Sequence, residues 1–272
     1  YARIRDQFCL PIGKFEGVDE ALSRIGMYTY QMEAAQDLAL TALDSGEKPI
    51  VISAILKYHN TERMRKTLND AMDIHGGRAV VLGPRNYLAA AYQAIPVAIT
   101  VAGANILTRS MITFGQGAIR CHPFVLKEMR AAMDNDAKAF KKAVGGPLHF
   151  AFTNAFRSFW LSLTNGAFTS APQGSKETAR YYRQMTRLAA NFALVADMSM
   201  FSLGGSLKFK EKISARLGDI LSNLFIASAV LKRFENQGSP KEDLAIMRYA
   251  VEQALYDAQT ALDGLLRNLP MR

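Results

Sequence analysis

Residues able to do acid, base, nucleophilic or metal chemistry are few and scattered in this chain. His59, His75, His122 and His149 form no HxxxH or HExxH set, so a metal centre is not expected. Cys9 and Cys121 match no metal or redox spacing and read as packed small residues of a reducing compartment. Glu128 and Asp134 fall on a helical stretch and read as solvated. The stretch best suited to chemistry is Ile99-Thr100-Val101-Ala102-Gly103-Ala104-Asn105-Ile106-Leu107-Thr108-Arg109, a loop between a segment marked by Pro96 and an apolar run. A residue just before Gly103 could aim its side chain from a sharp turn at a substrate carbon. Taking a proton there needs a base within hydrogen-bond reach. The residue present is Ala102, which has no proton acceptor.

Several elements must position that loop. Arg5 to Gly13 reads as loop, punctuated by Pro11 and Gly13. A helix is expected from Val18 to Gly46, burying Val18, Leu22, Ile25, Thr29 and Met32. A second starts at Pro49, runs to Met72 and is closed by Gly76-Gly77. Val80 to Pro84 reads as a turn. The next helix, Asn86 to Gln93, is interrupted by Pro96 and resumes from Ile106 to Phe114. Pro123 opens another helix that ends near Gly145-Gly146-Pro147. The following aromatic stripe, Phe150, Phe152, Phe156, Phe159 and Trp160, reads as core rather than as the lining of a ligand tunnel. Ser175 and Ser206 are candidate caps for helices ending near Phe201 and Glu235, and Ser239-Pro240-Lys241-Glu242 opens the last helix, to Leu266. No alternating strand pattern stands out. The expected fold class is all-α, an antiparallel helical bundle, with a boundary at Cys121-His122-Pro123 separating residues 1–122 from 123–272.

The formal charge is +9, which favours a polyanionic partner; with no nucleic-acid-binding signature beside it, an anionic small molecule is expected rather than nucleic acid. Lys208, Lys212 and Arg216 fall at i, i+4, i+8 and read as a solvated face or as peripheral contact with an anionic membrane. No apolar run reaches the roughly 18 residues of a membrane span. The chain starts without Met and in mid-pattern, so an upstream part is expected.

Three segments together resemble the C-terminal helical domain of flavin-dependent acyl-CoA dehydrogenases. They are Arg5-Asp6-Gln7-Phe8 with Pro11-Ile12, Met72-Asp73-Ile74-His75-Gly76-Gly77, and Val101-Ala102-Gly103-Ala104-Asn105-Ile106. The resemblance covers Tyr1 to Arg120. Gly115-Gln116-Gly117-Ala118-Ile119-Arg120-Cys121-His122-Pro123 and the remainder resemble the extra C-terminal helical region of the bacterial long-chain enzymes of β-oxidation.

The resemblance implies FAD as cofactor and a medium- or long-chain fatty acyl-CoA as substrate, oxidised to the trans-2-enoyl-CoA. It implies an electron-transfer acceptor protein and a homodimer whose flavin sites are shared. Arg5, Phe8 and the backbone at Asp73, Ile74, Gly76 and Gly77 would then lie against a neighbouring subunit's FAD. Gly103 would touch the acyl thioester, and Ala104, Asn105 and Ile106 the flavin. Glu16 and Asp73 stand where the family often has Gln, and they are carried over as FAD contacts. Ala102 stands where the commonest family pattern has its catalytic Glu. It reads as an engineered loss of the base, a small residue facing a base supplied from upstream, or the mark of a non-catalytic acyl-CoA-binding relative; a non-enzymatic helical scaffold is the remaining class. The expected location is cytoplasmic, with peripheral contact with the inner membrane as the alternative.

Overall fold

The computed structural model describes residues 1–121, 152–171 and 176–270. Its helices are α1 (Glu16–Asp44), α2 (Ile50–His75), α3 (Ala89–Thr100), α4 (Thr113–Cys121), α5 (residues 152–163), α6 (Lys176–Leu203), α7 (Glu211–Asn236) and α8 (Leu244–Leu266). The all-α expectation is met, with one addition: Asp6–Gln7 and Leu10–Pro11 pair antiparallel as a small hairpin. Its two turn residues, Phe8 and Cys9, have φ of 53° and 64°, the twist that a two-residue hairpin needs. Cys9 is therefore an exposed turn residue and not a packed one.

The α1 and α2 boundaries follow local chemistry. Gly46 takes φ +81° just past α1, and Gly76 takes φ +56° at the end of α2. Other expectations fail for tertiary reasons. Pro96 lies inside α3, which begins after Asn86 Oδ1 has accepted the amides of Leu88 and Ala89. Ser206 caps nothing; it sits in a 3-10 turn, Gly204–Phe209, and donates back to the Leu203 carbonyl. That turn also takes Lys208 off the helical face shared by Lys212 and Arg216. Ser239, at φ +59°, closes α7 through its amide to the Phe234 carbonyl, so α8 starts only at Leu244. Ser175 and the helix expected from Pro123 lie outside the described residues.

α7 is the central helix, packed against α1, α4, α6 and α8. The main core joins Met27, Tyr30 and Ala34 of α1 with Tyr181, Val230, Leu231, Phe234, Met247 and Val251. Burying each large side chain contributes roughly 1.5–3 kcal/mol. α1 turns a different face inward from the one expected: Leu22 and Thr29 are exposed, and Ala21, Met27, Tyr30, Gln31 and Ala34 are buried. A second cluster, with Phe114, Val195, Leu217, Ile220 and Leu265, lies under α4.

α5 is reversed with respect to the core reading of its aromatics. Its buried side chains are Asn154, Ser158 and Leu161. Asn154 donates to Asp197 at 2.9 Å, and Ser158 and Ser162 donate to Asn191 at 2.6 and 3.1 Å. Phe152, Phe156, Phe159 and Trp160 are exposed; Phe150 lies outside the described residues. α6 and α7 are also long and apolar enough to cross a membrane by composition, although α7's apolar stretch is mostly consumed in the core. The expectation that no segment is apolar enough to span was too strict.

A polar thread fastens the bundle internally. Gln31 donates to the Ala250 carbonyl and accepts from Arg63, whose Nη1 meets His59 Nδ1 at 2.7 Å. Burial, then the charges of Arg63, Arg109 and Lys66, push the His59 pKa well below its usual 6.5. The folded protein thus keeps His59 neutral where the unfolded chain takes up a proton. Stability is therefore full above pH 6.5 and falls as the pH drops below it. Urea melts at pH 7 and pH 5 should show this loss in the parent and a smaller loss in His59→Gln. The same slope in both proteins would remove His59 as its cause.

Candidate functional site

The loop between α3 and the next helical turn is a tight reversal. Val101 is extended, Ala102 has φ +56° and Gly103 φ +97°. A Cβ at Gly103 would meet Thr108 Oγ1 at 3.4 Å, and its backbone lies in the region that L side chains avoid. Ala102 accepts the same left-handed region without being glycine, at a cost of about 1–2 kcal/mol. It is exposed, so a longer side chain there meets no packed wall.

Both ends of this loop are fastened to α2 by one cation. Lys57 Nζ donates to the Ala98 carbonyl at 2.7 Å and to Asn105 Oδ1 at 2.8 Å. The buried Asn105 amide nitrogen donates to Thr61 Oγ1 at 2.9 Å and Glu62 Oε1 at 2.8 Å. The Asn105 side chain is fully committed to this clamp, leaving only its backbone for any ligand. Beyond it, Thr108–Ile112 is a π-helical turn, held in part by Thr113 Oγ1 to the Thr108 carbonyl. Such turns concentrate at functional sites. The turn also places Arg109 on Asp219 of α7, with Nε–Oδ1 at 2.9 Å and Nη2–Oδ2 at 2.6 Å. Arg109 is thus in an ion pair within the chain. Burial lifts the Asp219 carboxyl above its ordinary range despite Arg109.

Glu62 is the carboxylate that sequence reasoning missed near the loop. Burial alone would raise its pKa, but hydrogen bonds from Asn105 and Arg65, with the Arg65 and Lys66 charges, hold it below the usual value. A carboxylate so stabilised is a weak base and is already spent on the clamp. Glu128 and Asp134 lie outside the described residues.

The other motif residues gather about 20 Å away along α2, given 1.5 Å per residue between Thr61 and His75. Tyr1 stacks on His75, with ring centroids 4.2 Å apart and planes 15° apart, and this seats the N-terminal hairpin beside the end of α2. His75 is a wall residue, with Nδ1 on the Ala71 carbonyl and Nε2 on the Tyr87 hydroxyl. Arg5 and Phe8 are exposed on that hairpin, and Glu16, at the start of α1, is exposed as well. Nothing stands within 4 Å of the Cβ positions of Gly76 or Gly77, so their backbone is open to a ligand. Asp73 is exposed beside them, Ile74 half-buried. Asp73 also lines a cleft of about 660 Å³ with Met72, Tyr92 and Gln93. Ala104 and Ile106 are exposed at the loop, apart from this group.

Residues 1–115 match the family described as "Acyl-CoA dehydrogenase, C-terminal domain", and residues 119–272 match "Acyl-CoA dehydrogenase, C-terminal, bacterial type". The chain belongs to the acyl-CoA dehydrogenase family. Its fold is similar to that of an acyl-CoA dehydrogenase from Bacillus anthracis solved in complex with FAD, with 16% identity and a TM-score of 0.76. The match covers all of this chain and 45% of the Bacillus anthracis chain, so this chain spans less than half of that protein's length.

Proposed function

We propose that the full protein carries out FAD-dependent α,β-dehydrogenation of medium- or long-chain fatty acyl-CoA to the trans-2-enoyl-CoA, and that the chain with Ala102 is a disabled form of it. The observation carrying this reading is the clamped reversal at Ala102-Gly103, in a chain of the acyl-CoA dehydrogenase family. Arg5 would fork onto the pyrophosphate of a neighbouring subunit's FAD, and the open amides around Gly76 and Gly77 would lie along it. The separation of that group from the loop supports a homodimer in which each group serves a different flavin. Gly103 would bring bare backbone to the thioester, Ala104 and Ile106 would face the flavin, and a side chain at position 102 would be the one to take the α proton. FAD, when bound, would supply the acceptor for the β hydride, and an electron-transfer protein would be the onward partner. With Ala102 unable to accept a proton and Glu62 committed elsewhere, a base-less acyl-CoA binder is the second reading.

The test is flavin absorbance and its bleaching by a long-chain acyl-CoA in the full chain. A yellow protein that binds acyl-CoA but bleaches slowly is expected. A colourless protein that binds no acyl-CoA would leave only a helical scaffold.

A cytoplasmic location peripheral to the inner membrane belongs to the same reading. The tip between α6 and α7 supports it, with Phe201 and Phe209 exposed among Lys208, Lys210 and Lys212. Aromatic side chains enter the lipid interface while lysines meet anionic headgroups. Co-sedimentation with vesicles containing phosphatidylglycerol is expected, and Phe201→Ser with Phe209→Ser should lower it by about 100-fold or more, since each side chain buries about 1.5–3 kcal/mol of apolar surface. Equal binding by parent and double variant would remove this tip as the contact.

A further inference from the structure

A cleft of about 490 Å³ opens where α2 faces α7 and α8; of its lining, Glu62 also belongs to the clamp behind the Ala102-Gly103 loop. Its cationic residues are Arg63, Lys66, Arg109 and Arg216; its carboxylates are Glu62, Asp219 and Asp257. The carboxylates are largely engaged. Asp219 is taken by Arg109, Glu62 by Asn105 and Arg65, and Asp257 accepts from Gln253 at 2.9 Å.

Arg63 is 95% buried, and its hydrogen bonds go to Gln31 and His59, both neutral. Among the described residues no carboxylate hydrogen-bonds it. With neutral hydrogen-bond partners, that buried charge is balanced only at longer range, chiefly by Asp257. Burial lowers its pKa to about 10, so it remains cationic at neutral pH. His59 supplies a second deficit. Its Nδ1 accepts from Arg63, so the neutral ring carries its proton on Nε2, and that buried atom has no partner among the described residues. Asn223, 96% buried on the α7 wall, leaves its Oδ1 acceptor without one as well. Across the cleft Arg216 is held with its Nε against Gly264, where a Cβ would come within 3.0 Å. Water could satisfy His59 and Asn223, but it would add no negative charge to a cleft whose four cations exceed its three carboxylates.

We propose that this cleft binds a phosphate group, with Arg63 and His59 as the buried donors and Lys66 and Arg216 supplying further positive charge. A hydrogen phosphate offers acceptors to Arg63 and His59 and one hydroxyl for Asn223 Oδ1. The group could arrive as free phosphate or as the end of a larger phosphomonoester.

The test is calorimetric titration of the full chain, purified with its flavin, with inorganic phosphate against sodium chloride of matched ionic strength. Saturable phosphate binding is expected, weakened at least about tenfold in Arg63→Gln and about threefold in Lys66→Gln. Lys66 is exposed, so its variant keeps the test open if Arg63→Gln does not fold. AMP distinguishes the sources: binding that depends on Arg63 supports a phosphomonoester, and exclusion of AMP alongside phosphate binding supports free phosphate. No saturable phosphate binding, or binding unchanged in both variants, overturns the proposal.

Discussion

Ala102→Glu in the full chain, given a long-chain acyl-CoA and an artificial electron acceptor, is expected to raise turnover by about 10²- to 10⁴-fold, the usual contribution of a positioned general base. The loop already has the form that such a residue needs. Ala102 is exposed, at φ +56°, on a reversal clamped at both ends, so a carboxylate there is carried on a fixed stem. An acyl chain over the loop would remove water from that carboxylate and raise its pKa towards the working pH. Ala102→Gly separates strain from chemistry. It should stabilise the fold by about 1 kcal/mol through relief of the left-handed residue, with no gain in turnover. If the Ala102 protein already turns over at the Glu rate, the base lies elsewhere and Ala102 is native wall. If neither bleaches flavin while both bind acyl-CoA, the binding reading replaces the dehydrogenase.

The legible parts of this fold are those set by a few adjacent residues. Gly46, Pro49 and Gly76 mark helix ends because a positive φ or a missing amide is decided locally, and Gly103 marks its reversal for the same reason. Which side of a helix turns inward is decided by its neighbours. Leu22 and the aromatics of α5 face outward because alanines on α1 and a serine-asparagine seam on α5 give closer helix contact. Ser239 looked like a start signal because Ser-Pro-Lys-Glu is one, but the amide of Ser239 was needed to finish α7. The site shows the same division. The three motifs could be read in the sequence. The clamp could not, because Lys57 and Glu62 reach Asn105 across 48 and 43 residues, and nothing in either segment distinguishes them from a solvated charge pair.

That clamp sets the second large effect. Lys57→Met keeps most of the aliphatic stem and removes the ammonium, leaving the Ala98 carbonyl without its donor and Asn105 Oδ1 with only Thr61 at 3.3 Å. Hydrogen bonds from a charged donor contribute about 1.5–3 kcal/mol each, and the half-buried setting of Lys57 permits partial rescue by water, so a loss of about 2 kcal/mol is expected. For a chain of this size that is a fall in Tm of roughly 4–8 °C. The functional effect should exceed the structural one. Among the described residues, Lys57 alone draws Ala98 and Asn105, on either side of the Ala102-Gly103 reversal, to one point, and a displacement of about 1 Å in a reacting group can cost about 100-fold in rate. Made together with Ala102→Glu, Lys57→Met should therefore lower kcat about 100-fold and change KM much less. The residue positions the base and does not itself touch the acyl chain. A purely structural role would lower Tm and leave kcat per folded molecule intact, and that outcome would detach the clamp from the chemistry.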